Sequence, residues 1–281
     1  MYYPYFRGKQ FDLLAIRELI ENDLLSEKIQ PIIEPVKQNA AFRKLLSLKH
    51  PIHVIQNPQA GAYLTEAGQE ALQQLPQATA RIVDQPIELL TTQPEFLIVH
   101  HTEQALQSDW SNNQAKVLVP QEFRLLNKVQ GARILSEDVF TRLPKAAFYG
   151  ELPDEVFSTA HLTYRQRGFV GFSDFSIDNR IYYEHGYPSS RLMLHLVYLE
   201  DHIMRIHHFL SAEEGTQQEK FFELMAEVTE WLPRLSGEHL TRGLAILLEN
   251  VKQEKFPGMG IMRKAAVMHH LELMNRLLKD F

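Results

Sequence analysis

Thirteen histidines, and the carboxylates that end apolar runs, are the residues of this 281-residue chain with most chemistry to offer. Glu34 closes the run IQPIIEPV, and Asp174 lies within GFVGFSDFSI. Two carboxylates facing one cavity could work as an acid/base pair, because repulsion and burial push their pKa values apart. They could instead hold a hard cation through oxygen, or each could cap a helix or pair with an arginine. Gln56, Asn57, His100, His101, Gln121, Glu137, Asp138 and Glu151 also end or follow apolar runs, and with Glu34 and Asp174 they form a candidate ring.

The histidine doublets do not read as metal sites. Neighbours on a strand point to opposite faces, so His100-His101 and His207-His208 each offer one ring to any one place. On a helix, His269 and His270 diverge by about 100°. No His-Glu-x-x-His or His-x-His spacing occurs, and no metal is expected. His101 with Glu34 and Asp174, brought together from distant runs, is the alternative to that expectation.

Arg263 and His270 stand seven residues apart, close to two helical turns, and so share one side of a helix. A guanidinium there suits a planar anion, or salt-bridges a nearby acid. Arg7, Gly8 and Lys9 follow an aromatic leader of Tyr2, Tyr3, Tyr5 and Phe6. Lys9 in apolar surroundings could be a nucleophile or reach a ligand, while the leader reads equally as a packing plug. The catalytic candidates are therefore Glu34, Asp174 and His270, and the ligand-binding candidates are Lys9, Asn57, His101, Arg263 and His269.

Positioning these groups falls to a series of compact Val/Ile-rich runs: 29–36, 51–59, 96–101, 116–121, 132–140, 146–150, 168–177 and 191–199. Nearly continuous apolar strands are what a covered parallel sheet requires. Eight such runs, interleaved with helical stretches, predict an α/β fold: a distorted (β/α)8, TIM-like barrel whose strand ends carry the site. Arg191–Leu199 and His202–Leu210 read as a hairpin insertion turning at Glu200-Asp201. Residues 219–231, 238–251 and 261–278 read as helices, the second opened by Ser236, Glu238 and His239, with Pro233 and Pro257-Gly258 as breaks. One domain is expected over 1–281, with strands and connecting helices in 1–214 and helices packing on them in 215–281; a separate helical domain is the alternative.

The formal charge of −6 disfavours clamping duplex nucleic acid through phosphates. Without cysteine, disulfides, thiolate metal sites and cysteine nucleophiles are excluded. There is no run of about 18 apolar residues for a membrane span, and the charged N-terminus is unlike a signal peptide, so a cytoplasmic protein is expected. The phosphate-binding and dinucleotide-binding glycine loops and the Gly-x-Ser-x-Gly elbow are absent, and no cofactor is expected.

Three segments resemble the phage beta-protein family across most of the chain. YYPYFRGKQFDLLAIRELI followed by QPIIEPV resembles its opening. Ser173-Asp174-Phe175 stands where the family has a Gly-Asp-Tyr strand, and MRKAAVMHHLELMNRL resembles its closing helix, with Arg263, His269 and His270 on the matching positions. Met262 replaces a frequent tryptophan, and the family's Asp-Leu-Arg strand motif is missing. RIHHFLS and the overall layout resemble a bacterial subfamily of genomic islands and prophages. The resemblance implies a barrel-like fold and a mobile-element context such as antiphage defence, and no established activity. Two functions follow as expectations: a barrel recognising a small ligand or protein partner in phage–host conflict, possible oligomers included, or a hydrolase of a phosphorylated or nucleotide-like molecule using Glu34, Asp174 and Arg263.

Overall fold

The computed structural model describes residues 1–183, 189–235 and 240–279. The chain forms two compact units, each drawn from three separated stretches: Met1–Lys9, Glu27–Asp138 and Ala160–Phe175 in the first, Gln10–Ser26, Val139–Thr159 and Ser176–Phe281 in the second. In chain order the strands are β1 (Tyr5–Phe6), β2 (Ile32–Ile33), β3 (His53–Val54), β4 (Ala80–Ile82), β5 (Phe96–Ile98), β6 (Lys116–Pro120), β7 (Arg133–Ser136), β8 (Asp154–Ser158), β9 (Gly171–Ser173), β10 (Met193–Glu200) and β11 (Ile203–Leu210). The helices are α1 (Gln10–Glu21), α2 (Ala40–Leu46), α3 (Glu66–Gln73), α4 (Thr102–Gln107), α5 (Phe123–Lys128), α6 (Ala160–Thr163), α7 (Gln217–Trp231), α8 (Arg242–Lys252) and α9 (Met259–Lys279).

In the first unit, β4-β5-β6-β7-β9 make a five-stranded parallel sheet and β1-β2-β3 a three-stranded one, also parallel. Single parallel bridges join Ile55 to Ala80 and Tyr2 to Phe172, one at each edge of the smaller sheet. Helices α2 to α5 lie in the connections between successive strands, as parallel pairing demands. Tyr3, Tyr5, Ile32, Ile55, Ala80, Ile82, Phe96, Ile98, Leu118, Ile134 and Phe175 pack into one buried cluster. Strand neighbours such as Ile33 and Leu97 are buried too. Burial on both faces is why these strands are nearly all apolar.

Eight parallel strands occur among the described residues, but two of the expected runs are not among them. Residues 146–150 form a 3-10 turn, with Phe148 N–H bonded to Lys145 C=O at 3.1 Å. Ala-Ala-Phe-Tyr-Gly has no β-branched residue to hold it extended. Glu151, which follows it, is exposed in the second unit and ends no strand. The run 191–199 pairs antiparallel in another sheet. The aromatic leader at β1 and the short Ala80–Ile82 supply the two missing parallel strands.

In the second unit, β10, β11 and β8 form an antiparallel sheet in that order. The hairpin turns at Asp201-His202, with φ of +50° and +65°, one residue later than expected. Two positive φ angles match the twist of a tight two-residue hairpin. A capping box of Thr216 and Glu219 starts α7. Thr241 caps α8, its Oγ accepting from Leu244 N–H at 3.2 Å; the expected opening at Ser236, Glu238 and His239 lies outside the described residues. The long α9 packs on α1, α8 and β10. No described helix is long and apolar enough to cross a membrane.

Helices α8 and α9 touch backbone to backbone at Gly243. A Cβ there would stand 2.2 Å from the Ala265 carbonyl oxygen and 2.6 Å from the His269 nitrogen. Gly243→Ala is expected to destabilise the fold by about 2–3 kcal/mol, seen as a lower urea midpoint with an unchanged slope. An unshifted midpoint would mean that the two helices do not approach so closely.

Candidate functional site

Each strand-end carboxylate of the first unit is already engaged. Glu34, 1% exposed, follows β2. Its Oε2 accepts from the Tyr5 hydroxyl at 2.7 Å and lies 3.1 Å from Arg7 Nε, while Oε1 accepts from Gln59 N–H at 2.6 Å. Asp174, after β9, is buried and accepts from the Tyr2 hydroxyl at 2.6 Å. Burial, with the facing carboxylate, raises both phenols well above their ordinary range, so each remains an O–H donor. Two residues of the leader thereby hold the two acids.

Asn57 replaces a missing rung of the sheet. Its amide donates to Ile82 C=O at 2.9 Å and to Asp84 at 2.8 Å, while its oxygen accepts from Ile82 N–H at 2.9 Å. His101 is exposed at the start of α4, and with Gln59, Asp84, His100 and Glu103 it lines an open polar hollow of about 500 Å³. Lys9 ends the first stretch of this unit and is half-buried.

Arg263, His269 and His270 belong to the second unit, all on α9. Arg263 Nε donates to Asp12 at 2.8 Å, and Nη1 donates to Ile177 C=O at 2.6 Å; Asp178 stands 3.8 Å away. His269 is fully buried, donates from Nε2 to Val197 C=O at 2.8 Å, and meets Thr241 Oγ through Nδ1 at 2.7 Å. His270, also buried, meets Ser176 Oγ through Nδ1 at 2.8 Å and lies edge-on to Phe157. These contacts fix α9 in place. Arg263 also lines a cavity.

That cavity, about 560 Å³, lies between β10 and α9. Ile177, Leu192, Leu194, Met259, Met262 and Ala266 give it an apolar wall, and Arg263, Arg191, Ser189 and His195 are its polar points. An apolar hollow with a few convergent polar groups is the usual form of a small-molecule site. His195 was not among the sequence candidates. Its ring meets His208 across the hairpin, Nδ1 to Nδ1 at 2.7 Å, and His208 Nε2 lies 3.3 Å from Glu155 on β8. Burial lowers both imidazoles; for His195 the neighbouring His208 and the Arg263 charge add to it, and for His208 the Glu155 carboxylate acts in opposition. Knowing the hairpin register would have exposed this pair, since it sets residues 195 and 208 opposite one another.

No group of three or more acidic or histidine side chains among the described residues is arranged to hold a metal ion. No family model, curated protein or solved structure matches this chain.

Burial, with His269 and Arg263 nearby, lowers the His270 imidazole to about 3. The unfolded chain would take up this proton near pH 6.5, whereas the folded chain refuses it until far lower. Stability therefore falls with acidification below 6.5, by about 2 kcal/mol for this group between pH 8 and pH 5. His50, His53, His195 and His208, all lowered as well, add to the slope. Urea titrations of His270→Gln are expected to lose about that share of the pH dependence; an unchanged slope would show that His270 protonates freely in the folded state.

Proposed function

We propose that this is a binding protein rather than a hydrolase, and that the β10–α9 cavity receives a small, largely apolar molecule. The observation that carries the reading is the cavity wall itself: seven apolar residues, Met193 among them, with a few polar points at its margin. The state of the acids supports it. Glu34 and Asp174 are occupied by tyrosine hydroxyls and Arg263 by Asp12, whereas hydrolysis of a phosphorylated substrate needs such groups turned to the substrate.

The first unit is, in this reading, a (β/α)8-type barrel. Eight parallel strands, a single bridge at each edge of the smaller sheet, and one apolar cluster drawing on both sheets support closure. The tyrosine leader then fills the interior, as barrel cores are filled by side chains. Service in phage–host conflict rests on the family resemblance of the leader, the Ser173-Asp174-Phe175 strand and α9.

Titration with 2-methoxynaphthalene, followed by thermal shift and fluorescence, tests the cavity. Binding is expected at about 0.1 mM or tighter, the order set by ligand size. Met259→Trp, at an exposed lining residue, is expected to weaken it at least tenfold without loss of fold. Absence of binding, or binding indifferent to Met259→Trp and to Ala266→Trp, would overturn the cavity as the receptor site.

A further inference from the structure

Glu155, His208 and His195 form a chain of hydrogen bonds running from β8 across β11 to β10, at the cavity wall. With both rings neutral, its proton positions follow from donor and acceptor chemistry. A carboxylate only accepts, and Glu155 already accepts from Thr141 Oγ at 2.8 Å. Facing Glu155 Oε1 at 3.3 Å, His208 Nε2 therefore carries hydrogen. A neutral imidazole has one N–H, so His208 Nδ1 is bare and must accept. Its partner 2.7 Å away, His195 Nδ1, is then the donor. His195 in turn has a bare Nε2, which bonds to no protein group among the described residues.

Both imidazoles stay neutral for a physical reason. They are held close together, their rings flanked by Tyr149 at 4.9 and 4.8 Å and by Phe140 at 5.1 and 6.2 Å. Tyr149 is itself fixed, its hydroxyl donating to Thr141 C=O and accepting from Leu143 N–H, both at 3.1 Å. The Arg263 guanidinium also lines the cavity and opposes a second positive charge, though Asp12 and Asp178 pair with it. A fixed, neutral imidazole with one bare nitrogen is a directional hydrogen-bond acceptor.

We propose that His195 Nε2 is the acceptor of the β10–α9 cavity, oriented through His208 by Glu155, and that it selects ligands with an apolar body and a hydroxyl or N–H donor. This rests on the cavity being a ligand site, and it adds the ligand's chemical class. Glu155 and His208 are positioning residues: they act on the ligand only through the tautomer of His195.

Two naphthalenes of nearly equal size separate the premises. Wild-type protein is expected to bind 2-naphthol about tenfold more tightly than 2-methoxynaphthalene, the effect of one hydrogen bond. His195→Phe is expected to abolish that preference, so that the two probes bind with equal affinity. Glu155→Gln, whose amide can present either oxygen or nitrogen to His208, should reduce the preference to a few-fold without touching the cavity. Nitrogen-15 NMR of labelled histidine should find His195 protonated at Nδ1 and bare at Nε2, a signature that packing alone would not set. Equal binding of the two probes, or a proton on His195 Nε2, would overturn the acceptor while the cavity reading stands. Failure of 2-methoxynaphthalene to bind would remove the cavity reading and this proposal with it.

Discussion

Asp12 and Arg263 are the tie on which the second unit turns. Asp12 is 2% exposed, and a carboxylate so placed needs a cation in bidentate reach. Arg263 supplies it from α9, joining that helix to α1. The same guanidinium holds Ile177 C=O, where the chain enters the segment after Phe175. Arg263 thus sets the α9 wall of the cavity. A guanidinium neutralised in this way is a poor free anion receptor but a sound structural post, and this shifts the chemistry of the cavity from charge to shape and a neutral acceptor.

A similar economy governs the first unit. Glu34 and Asp174 sit where a barrel would carry its reactive groups, yet each is met by a tyrosine hydroxyl from the first five residues. A tyrosine O–H gives an oxygen of a buried acid the hydrogen-bond partner that water would otherwise supply. Arg7 shares Glu34, and its guanidinium stands 5.6 Å from the Tyr5 ring. The leader is therefore strand, core filler and counterpart to the acids together.

Buried strands were legible where burial on two faces forces continuous apolar sequence around them: 29–36, 96–101 and 116–121 all contain one. Two-residue β1 follows a proline and has no such run, and Ala80–Ile82 contains Arg81, so neither announces itself. The hairpin was evident from its two runs, but its register was not. Moving the turn from Glu200-Asp201 to Asp201-His202 decides whether His195 faces Ile206 or His208. The doublet at 207–208 drew notice as a motif, while the partner that gives it meaning is a lone histidine in an apolar strand. Nothing local marks Asp12 as the mate of a residue 251 positions away.

Because the chain crosses between its two units five times, neither can be cut out as a contiguous fragment. Within the second unit, α1 docks on α9 across most of the sequence, the Asp12–Arg263 pair joining residues 251 positions apart. The buried face of α1, with Leu13, Ile16 and Leu19 beside Asp12, thus closes by a contact between segments far apart in sequence. Docking them costs loop-closure entropy that grows with the intervening chain, which makes the α1–α9 contact the non-local step in forming the second unit.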